Sequence, residues 1–189
     1  MKPEEKIWEE WDVIEDALGG DVLKLERALA GRDSPTLRRA YVRAVFAYSE
    51  GIAGWMKRYV VLLYHPGMLG DDEKVELERR DGALQSLVKA LDLFTNVAGA
   101  PTPLKKGSRE WIVIRSAILI RNRITHPAKA SDVVVSDADL FALTAAHNVI
   151  TDLIGRSLVR SATMLARKAK KFRAARATLN PRESAAPTK

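Results

Sequence analysis

The spacing of hydrophobic residues along the chain is helical almost throughout, with apolar positions three or four residues apart. A first amphipathic segment covers residues 4–18. We expect Gly19-Gly20 to end it, because glycine is common just past the last turn of a helix. A second, shorter helix is predicted for residues 21–30, stopping at Gly31.

A long helix is predicted from Ser34-Pro35 to about Tyr64. Serine can accept hydrogen bonds from the first backbone N–H groups of a helix, and proline is favoured at the first helical position. The apolar stripe of this helix is Leu37, Tyr41, Ala44, Tyr48, Ile52, Trp55, Tyr59 and Leu62. Gly51 and Gly54 each cost about 1 kcal/mol relative to alanine in a helix. We therefore expect another helix to approach closely there.

The second half of the chain predicts three more helical segments. The first covers residues 72–97, the second begins after Ser108 and ends near Arg121, and the third covers residues 137–173. With no convincing strand, the pattern favours an all-α fold, a bundle of four to five helices. We divide the chain into an acidic helical segment (1–33), a helical domain (34–173) and a basic, disordered tail (174–189).

Composition narrows the class of protein. The chain has 189 residues, is 47% hydrophobic and 29% charged, and has no apolar run long enough to span a bilayer. It lacks cysteine, which excludes disulfides and thiolate zinc sites, and we expect a cytoplasmic protein with no metal or cofactor.

The net charge of +7 is unevenly distributed. Acidic residues dominate residues 2–16. From Arg156 onward the sequence contains ten basic residues and one acidic residue, Glu183. A basic end of this kind can bind a phosphate backbone, and such binding is weakened by salt. A solvated helix face followed by a disordered tail is the alternative interpretation.

The candidate chemistry lies where an apolar helix ends, at Arg121-Asn122-Arg123-Ile124-Thr125-His126-Pro127. Asn122 and His126 share a face if the turn persists, while Arg121 points about 140° away from His126 on an ideal helix. Because Pro127 disfavours helical geometry at the preceding residue, His126 can swing back towards Arg121. Histidine suits proton transfer near neutral pH, arginine binds two phosphate oxygens, and asparagine can donate and accept hydrogen bonds.

The Arg-Asn-x-x-x-His spacing closed by Pro127 resembles the signature of the HEPN superfamily of α-helical domains. Many members are metal-independent endoribonucleases, and they commonly form one composite site from two motifs across a dimer interface. The resemblance extends over about residues 34–170. It includes the helix 37–55, where Glu50 follows an aromatic pair and could pair with Arg121 or orient it. A related subgroup carries a tyrosine two residues after the histidine that accepts AMP, but Ala128 occupies that position here.

The resemblance implies a dimeric endoribonuclease with catalytic Arg121, Asn122 and His126, supported by Glu50. It also implies RNA as substrate, a homodimer, and a role in toxin–antitoxin or anti-phage systems with a cognate antitoxin or defence protein. No membrane association is expected. Candidate RNA-binding residues are Lys105, Lys106, Arg123, Arg167, Lys168, Lys170 and Lys171.

Less specific interpretations remain open. The motif could be a polar helix terminus, whose cations complement the last carbonyl groups. The same pocket could bind RNA or a nucleotide without cleaving it, or the chain could be a helical dimer that serves only protein interactions. Glu50 could be an ordinary carboxylate, His147 a core or interface histidine, and His65 a turn residue.

Overall fold

The computed structural model describes residues 3–63 and 82–179, and these ranges are helical with no strand. This confirms the all-α prediction. The helices are α1 (Pro3–Ile14), α2 (Gly20–Gly31), α3 (Pro35–Leu63), α4 (Ala83–Ala98), α5 (Arg109–Thr125) and α6 (Asp137–Leu179). Predictions for His65-Pro66-Gly67, for the start of the 72–97 helix and for residues 180–189 of the tail lie outside the described residues. Residues 174–179, which were assigned to the tail, belong to α6.

The prediction that Gly19-Gly20 ends the first helix is wrong. A π-helical turn, Glu15–Gly19, joins α1 to α2, and both glycines keep helical dihedral angles, with φ of −65° and −57°. Close packing on α3 explains the continuity. A Cβ atom at Gly19 would lie 3.3 Å from Glu15 Oε1 and 3.4 Å from a ring carbon of Tyr48. The turn thus stays helical because it fits closely against α3.

The predicted start of α3 is confirmed by its cap. The Ser34 hydroxyl accepts a hydrogen bond from the Leu37 N–H at 3.2 Å, directly before Pro35. Of the predicted apolar stripe of α3, Tyr41, Tyr48, Ile52 and Trp55 are buried, and Trp55 has no exposed surface. Leu37, Ala44 and Tyr59 are half-buried. Trp55 Nε1 donates to the Ile7 carbonyl at 2.7 Å. The N-terminal helix α1 therefore packs into the same core as α3.

Tyr41, Tyr48 and Trp55 lie in the core, as the helical spacing predicted, and Trp111 packs against it half-buried. Gly51 and Gly54 in α3 differ in how closely other residues pack against them. A Cβ at Gly51 would come within 2.7 Å of Leu18 Cδ1, which confirms the expected close approach, whereas one at Gly54 would meet only the Arg58 side chain at 3.6 Å.

Helices α5 and α6 run antiparallel. Arg123 near the end of α5 pairs with Asp139 at the start of α6, and Glu110 at the start of α5 lies within electrostatic range of Arg156. Ser108 caps α5 as predicted, accepting from the Trp111 N–H at 3.2 Å. Because α6 has 43 residues against 17 in α5, it continues well beyond the start of α5.

Candidate active site

The motif straddles the end of α5, as the proline predicted. Helix α5 ends at Thr125, and the His126 N–H makes a last helical hydrogen bond to the Asn122 carbonyl at 2.9 Å. His126 itself has a non-helical φ of −127° and ψ of 63°. Pro127 accounts for this geometry, since its ring excludes the helical conformation at the residue before it.

The guanidinium of Arg121 lies against α3 at the protein surface. Its Nη2 lies 3.3 Å from Glu50 Oε1, and its Nη1 donates to Asn122 Oδ1 at 3.2 Å. The contact between Glu50 and Arg121 that the sequence suggested is therefore present in the fold. Because both side chains are partly exposed, this ion pair fixes the direction of the guanidinium more than it stabilises the fold.

Asn122 and His126 lie on the outer, exposed face at the end of α5. Among the described residues, no side-chain hydrogen bond engages His126. The structure thus brings Arg121, Asn122 and Glu50 into contact and leaves the imidazole facing solvent on the adjacent surface. Within the described ranges no hydrogen bond joins His126 to Arg121, so the two side chains share a helix end without contacting each other through such a bond. An exposed imidazole can exchange a proton with a bound molecule, and an oriented guanidinium can bind its anionic group.

Arg123, a candidate RNA-binding residue, is used within the fold. Its Nη1 donates to the Val134 carbonyl at 2.8 Å, and its Nη2 donates to Asp139 Oδ2 at 2.8 Å. These bonds fasten the loop after the motif to both α5 and α6. The side chain is only about one-third exposed. Its position therefore gives Arg123 a structural role at the base of the motif.

A second arginine, which the sequence analysis missed, holds the same loop. Arg38 in α3 donates to the Val135 carbonyl at 2.9 Å, contacts Asp33, and lies 2.6 Å from Asp137 Oδ1. The hydrogen bond from Arg38 keeps the pKa of Asp33 below its ordinary value. No local signal could have identified this contact, because Arg38 and Val135 are 97 positions apart.

Asp139 connects this loop to the cap of α6. Its carboxylate accepts from the Ser136 N–H and hydroxyl at 2.8 Å each, and the Asp139 N–H donates to the Ser136 hydroxyl at 3.2 Å. Ser136 and Asp139 thus form a reciprocal capping box at the start of α6. Burial opposes ionisation of Asp139, but the bonds from Ser136 and Arg123 outweigh it and lower the pKa below its ordinary value.

We expect Asp139→Asn to lower the free energy of unfolding by about 1–3 kcal/mol at pH 7, since a charge-assisted hydrogen bond is removed. A carboxyl with a depressed folded pKa stabilises above its unfolded pKa of about 3.9 and loses that effect as pH falls through the folded value. Urea unfolding at pH 7 and pH 3 measures the loss of unfolding free energy and its dependence on pH. Asp152→Asn, which breaks the exposed pair with Arg156, is the control and should have little effect. A pH-independent gap between wild type and Asp139→Asn would contradict this account.

The remaining candidate RNA-binding residues lie far from the motif within one chain. Lys105 and Lys106 are exposed in the loop before α5, about 25 Å from the motif end of that 17-residue helix. Lys168 lies beside Gly99 at the end of α4, and the basic stretch 167–171 follows Asp139 on α6 by about 40 Å. These cations therefore do not join Arg121 around one phosphate in a single protomer.

His147 lies half-buried at the edge of the core, in agreement with its interpretation as a core histidine. Its ring packs edge-on against Tyr48, with centroids 5.5 Å apart, and burial lowers its pKa below the ordinary value. The Tyr48 hydroxyl donates to Glu15 Oε2 at 3.0 Å. His147 therefore differs from His126, which is exposed and follows the Arg-Asn pair at the end of α5. His65 lies outside the described residues.

The described residues contain no cluster of three or more histidine and carboxylate side chains that could hold a metal ion. None of the described helices combines the length and apolar character needed to cross a bilayer. No protein-family model, curated protein or solved structure matches the chain.

Proposed function

We propose that the protein is a metal-independent endoribonuclease of the HEPN type. The observation that carries this proposal is the end of α5, where His126 is exposed and where Glu50 and Asn122 orient the guanidinium of Arg121, five residues earlier in the chain. These residues supply proton transfer and anion binding without a metal. The same proposal includes a role as a toxin or in anti-phage defence, together with a cognate antitoxin or defence protein.

The chemistry divides among the three side chains. One imidazole removes the proton of a ribose 2′-hydroxyl, whose oxygen then attacks the adjacent phosphorus. The bond to the 5′ oxygen breaks, and an acid returns a proton to that oxygen. The products are a 2′,3′-cyclic phosphate and a 5′-hydroxyl. Arg121 binds the phosphoryl oxygens as negative charge increases, and Asn122 positions the reacting groups.

This reaction needs a base and an acid, and the composite site takes them from two chains. The outer face of α5 offers the surface for a second copy. Ile112 and Leu119 are 58% and 61% exposed, and they precede His126 by fourteen and seven residues. Positions seven apart lie along one side of a helix. Ile112 and Leu119 therefore lie on the side of α5 that leads to the histidine, with exposed Arg115 and Ser116 between them. Pairing two such faces would bring the motifs of two chains into one interface.

The direct test is an RNA cleavage assay with purified protein in EDTA. We expect cleavage to continue, with 2′,3′-cyclic phosphate ends. These ends can be identified because a phosphatase removes them only after acid has opened the ring to a mixture of 2′- and 3′-monophosphates. Salt-dependent RNA binding without any cleavage after long incubation would overturn the nuclease assignment and leave a binding module.

RNA affinity should depend on the basic stretch of α6. We expect Lys170→Glu with Lys171→Glu to weaken RNA binding and to reduce the slope of log K against log salt by about 0.7 for each RNA phosphate that is no longer neutralised. Fluorescence anisotropy between 50 and 300 mM salt, about the range over which such charges are screened, measures this slope. Lys24→Glu on α2, also an exposed lysine, is the matched control. An unchanged slope in the double variant would show that this stretch does not contact RNA.

A further inference from the structure

An apolar cavity of about 300 Å³ lies among α1, α3, α4 and α6. It is at the opposite end of the bundle from the motif, because its α6 wall begins at Leu158, about 30 Å along the helix from Asp139. Its walls include Trp8, Tyr59, Phe94 and Leu165. The cavity is therefore separate from the proposed nuclease site, and neither depends on the other.

Three aromatic rings form a continuous wall of this cavity. The Trp8 and Tyr59 centroids are 5.5 Å apart in an edge-on arrangement, and those of Tyr59 and Phe94 are 5.3 Å apart. Trp8 is exposed at the rim, whereas Phe94 is buried inside. The wall therefore extends from solvent into the interior, and its ring faces and edges suit a flat, unsaturated molecule.

The lining of the cavity includes the polar side chain of Ser161. Ser161 is only 4% exposed, and within the described part of the chain its hydroxyl has no hydrogen-bond partner. Its neighbours on α6 differ, because the Ser157 hydroxyl donates to the Leu153 carbonyl at 2.7 Å and that of Thr163 donates to the Val159 carbonyl at 2.8 Å. A buried hydroxyl without a partner destabilises a fold, so an unpaired one calls for an explanation.

We propose that this cavity binds a small aromatic molecule of one or two rings that carries a single hydroxyl group. The volume lies at the small end of the range for ligand pockets, which limits the ligand to about this size. The apolar walls exclude charged groups, and Ser161 provides one hydrogen bond in the interior. The Ser161 oxygen is itself covered, so the side chain must turn to another χ1 rotamer to reach the cavity, where its hydroxyl and that of the ligand satisfy each other.

The test compares two probes of nearly equal size, 1-naphthol and naphthalene, by isothermal titration of the full-length protein. We expect saturable 1:1 binding of both, with 1-naphthol about fivefold tighter because of one hydrogen bond. Ser161→Ala should remove that preference and leave naphthalene binding unchanged. The variant should fold, since alanine favours helix and removes an unpaired buried hydroxyl. Thr163→Val on the same helix is the matched control and should keep the preference.

Three results would overturn the proposal. The first is no saturable binding of either probe to the wild-type protein. The second is a naphthol preference that survives Ser161→Ala, since the hydroxyl would then not be part of the site. The third is probe binding that weakens as the protein self-associates in sedimentation velocity, because the cavity would then be covered by a second copy. Each result is independent of RNA cleavage, so failure here and failure of the nuclease assignment are distinguishable.

Discussion

His126→Ala is expected to lower the rate of EDTA-resistant RNA cleavage by roughly 10²–10⁴-fold, the usual contribution of a positioned acid or base. The side chain is exposed and makes no hydrogen bond within the described ranges, so its removal should leave the fold intact. Circular dichroism and urea unfolding check that expectation. Cleavage by His126→Ala at the wild-type rate would remove the histidine from the mechanism and with it the nuclease assignment.

RNA cleavage should depend on the shape of the Arg121 side chain as well as on its charge. Arg121→Lys keeps the positive charge but loses the planar fork that binds two phosphoryl oxygens. We therefore expect a large loss of cleavage, with much less loss of RNA affinity. Arg109→Lys, at the other end of α5, is the matched control and should be fully active. Equal activity of both variants would mean that Arg121 supplies charge alone.

Mixed dimers distinguish a composite site from two independent ones. If one His126 acts as base and that of the second copy as acid, a dimer of one wild-type chain and one His126→Ala chain should be almost inactive. Two independent sites would instead leave half of the activity. Differently tagged chains, co-expressed and purified in tandem, provide this dimer. Half activity in that preparation would contradict the composite mechanism while leaving His126 in its catalytic role.

The sequence predicted those features that depend on local signals. Ser34 and Ser108 cap their helices because the cap requires only a hydroxyl and the next turn of backbone. The motif falls at a helix end because Pro127 acts on its immediate neighbour. The prediction that Gly19-Gly20 ends the first helix failed because a contact with a distant part of the chain overrides the local signal. Two glycines predict a stop locally, but packing against Tyr48 on another helix keeps the segment helical.

The environment of the motif was predictable only in part. The sequence suggested the contact between Glu50 and Arg121 through a family resemblance, but it did not show that Arg123 binds the loop that follows the motif. Ile112 and Leu119 are apolar residues of α5, and nothing in the sequence shows that they face outward. The spacing of apolar residues identifies the apolar positions of a helix, but only the tertiary contacts show which of them pack against another helix. The candidate dimer surface therefore emerged from the structure alone.

Leu119→Glu is accordingly expected to convert the protein to a monomer and to abolish most of its cleavage activity. Burying one leucine is worth about 1.5–3 kcal/mol, and a two-fold interface contains it twice. The dimer should therefore weaken by roughly 10²–10⁴-fold, and the new carboxylates would repel each other. The fold should survive, because Leu119 is 61% exposed and the buried side of α5 is unchanged.

Val13→Glu on α1 is the matched control for this change. Val13 is also an exposed apolar side chain, 67% accessible, but it lies on α1 rather than on the α5 face. Sedimentation velocity should show dimers for Val13→Glu and monomers for Leu119→Glu. Because dimerisation follows mass action, raising the concentration of Leu119→Glu should restore part of its specific activity, which an unfolded or chemically defective variant would not do. A fully active Leu119→Glu monomer would show that one chain supplies both the acid and the base.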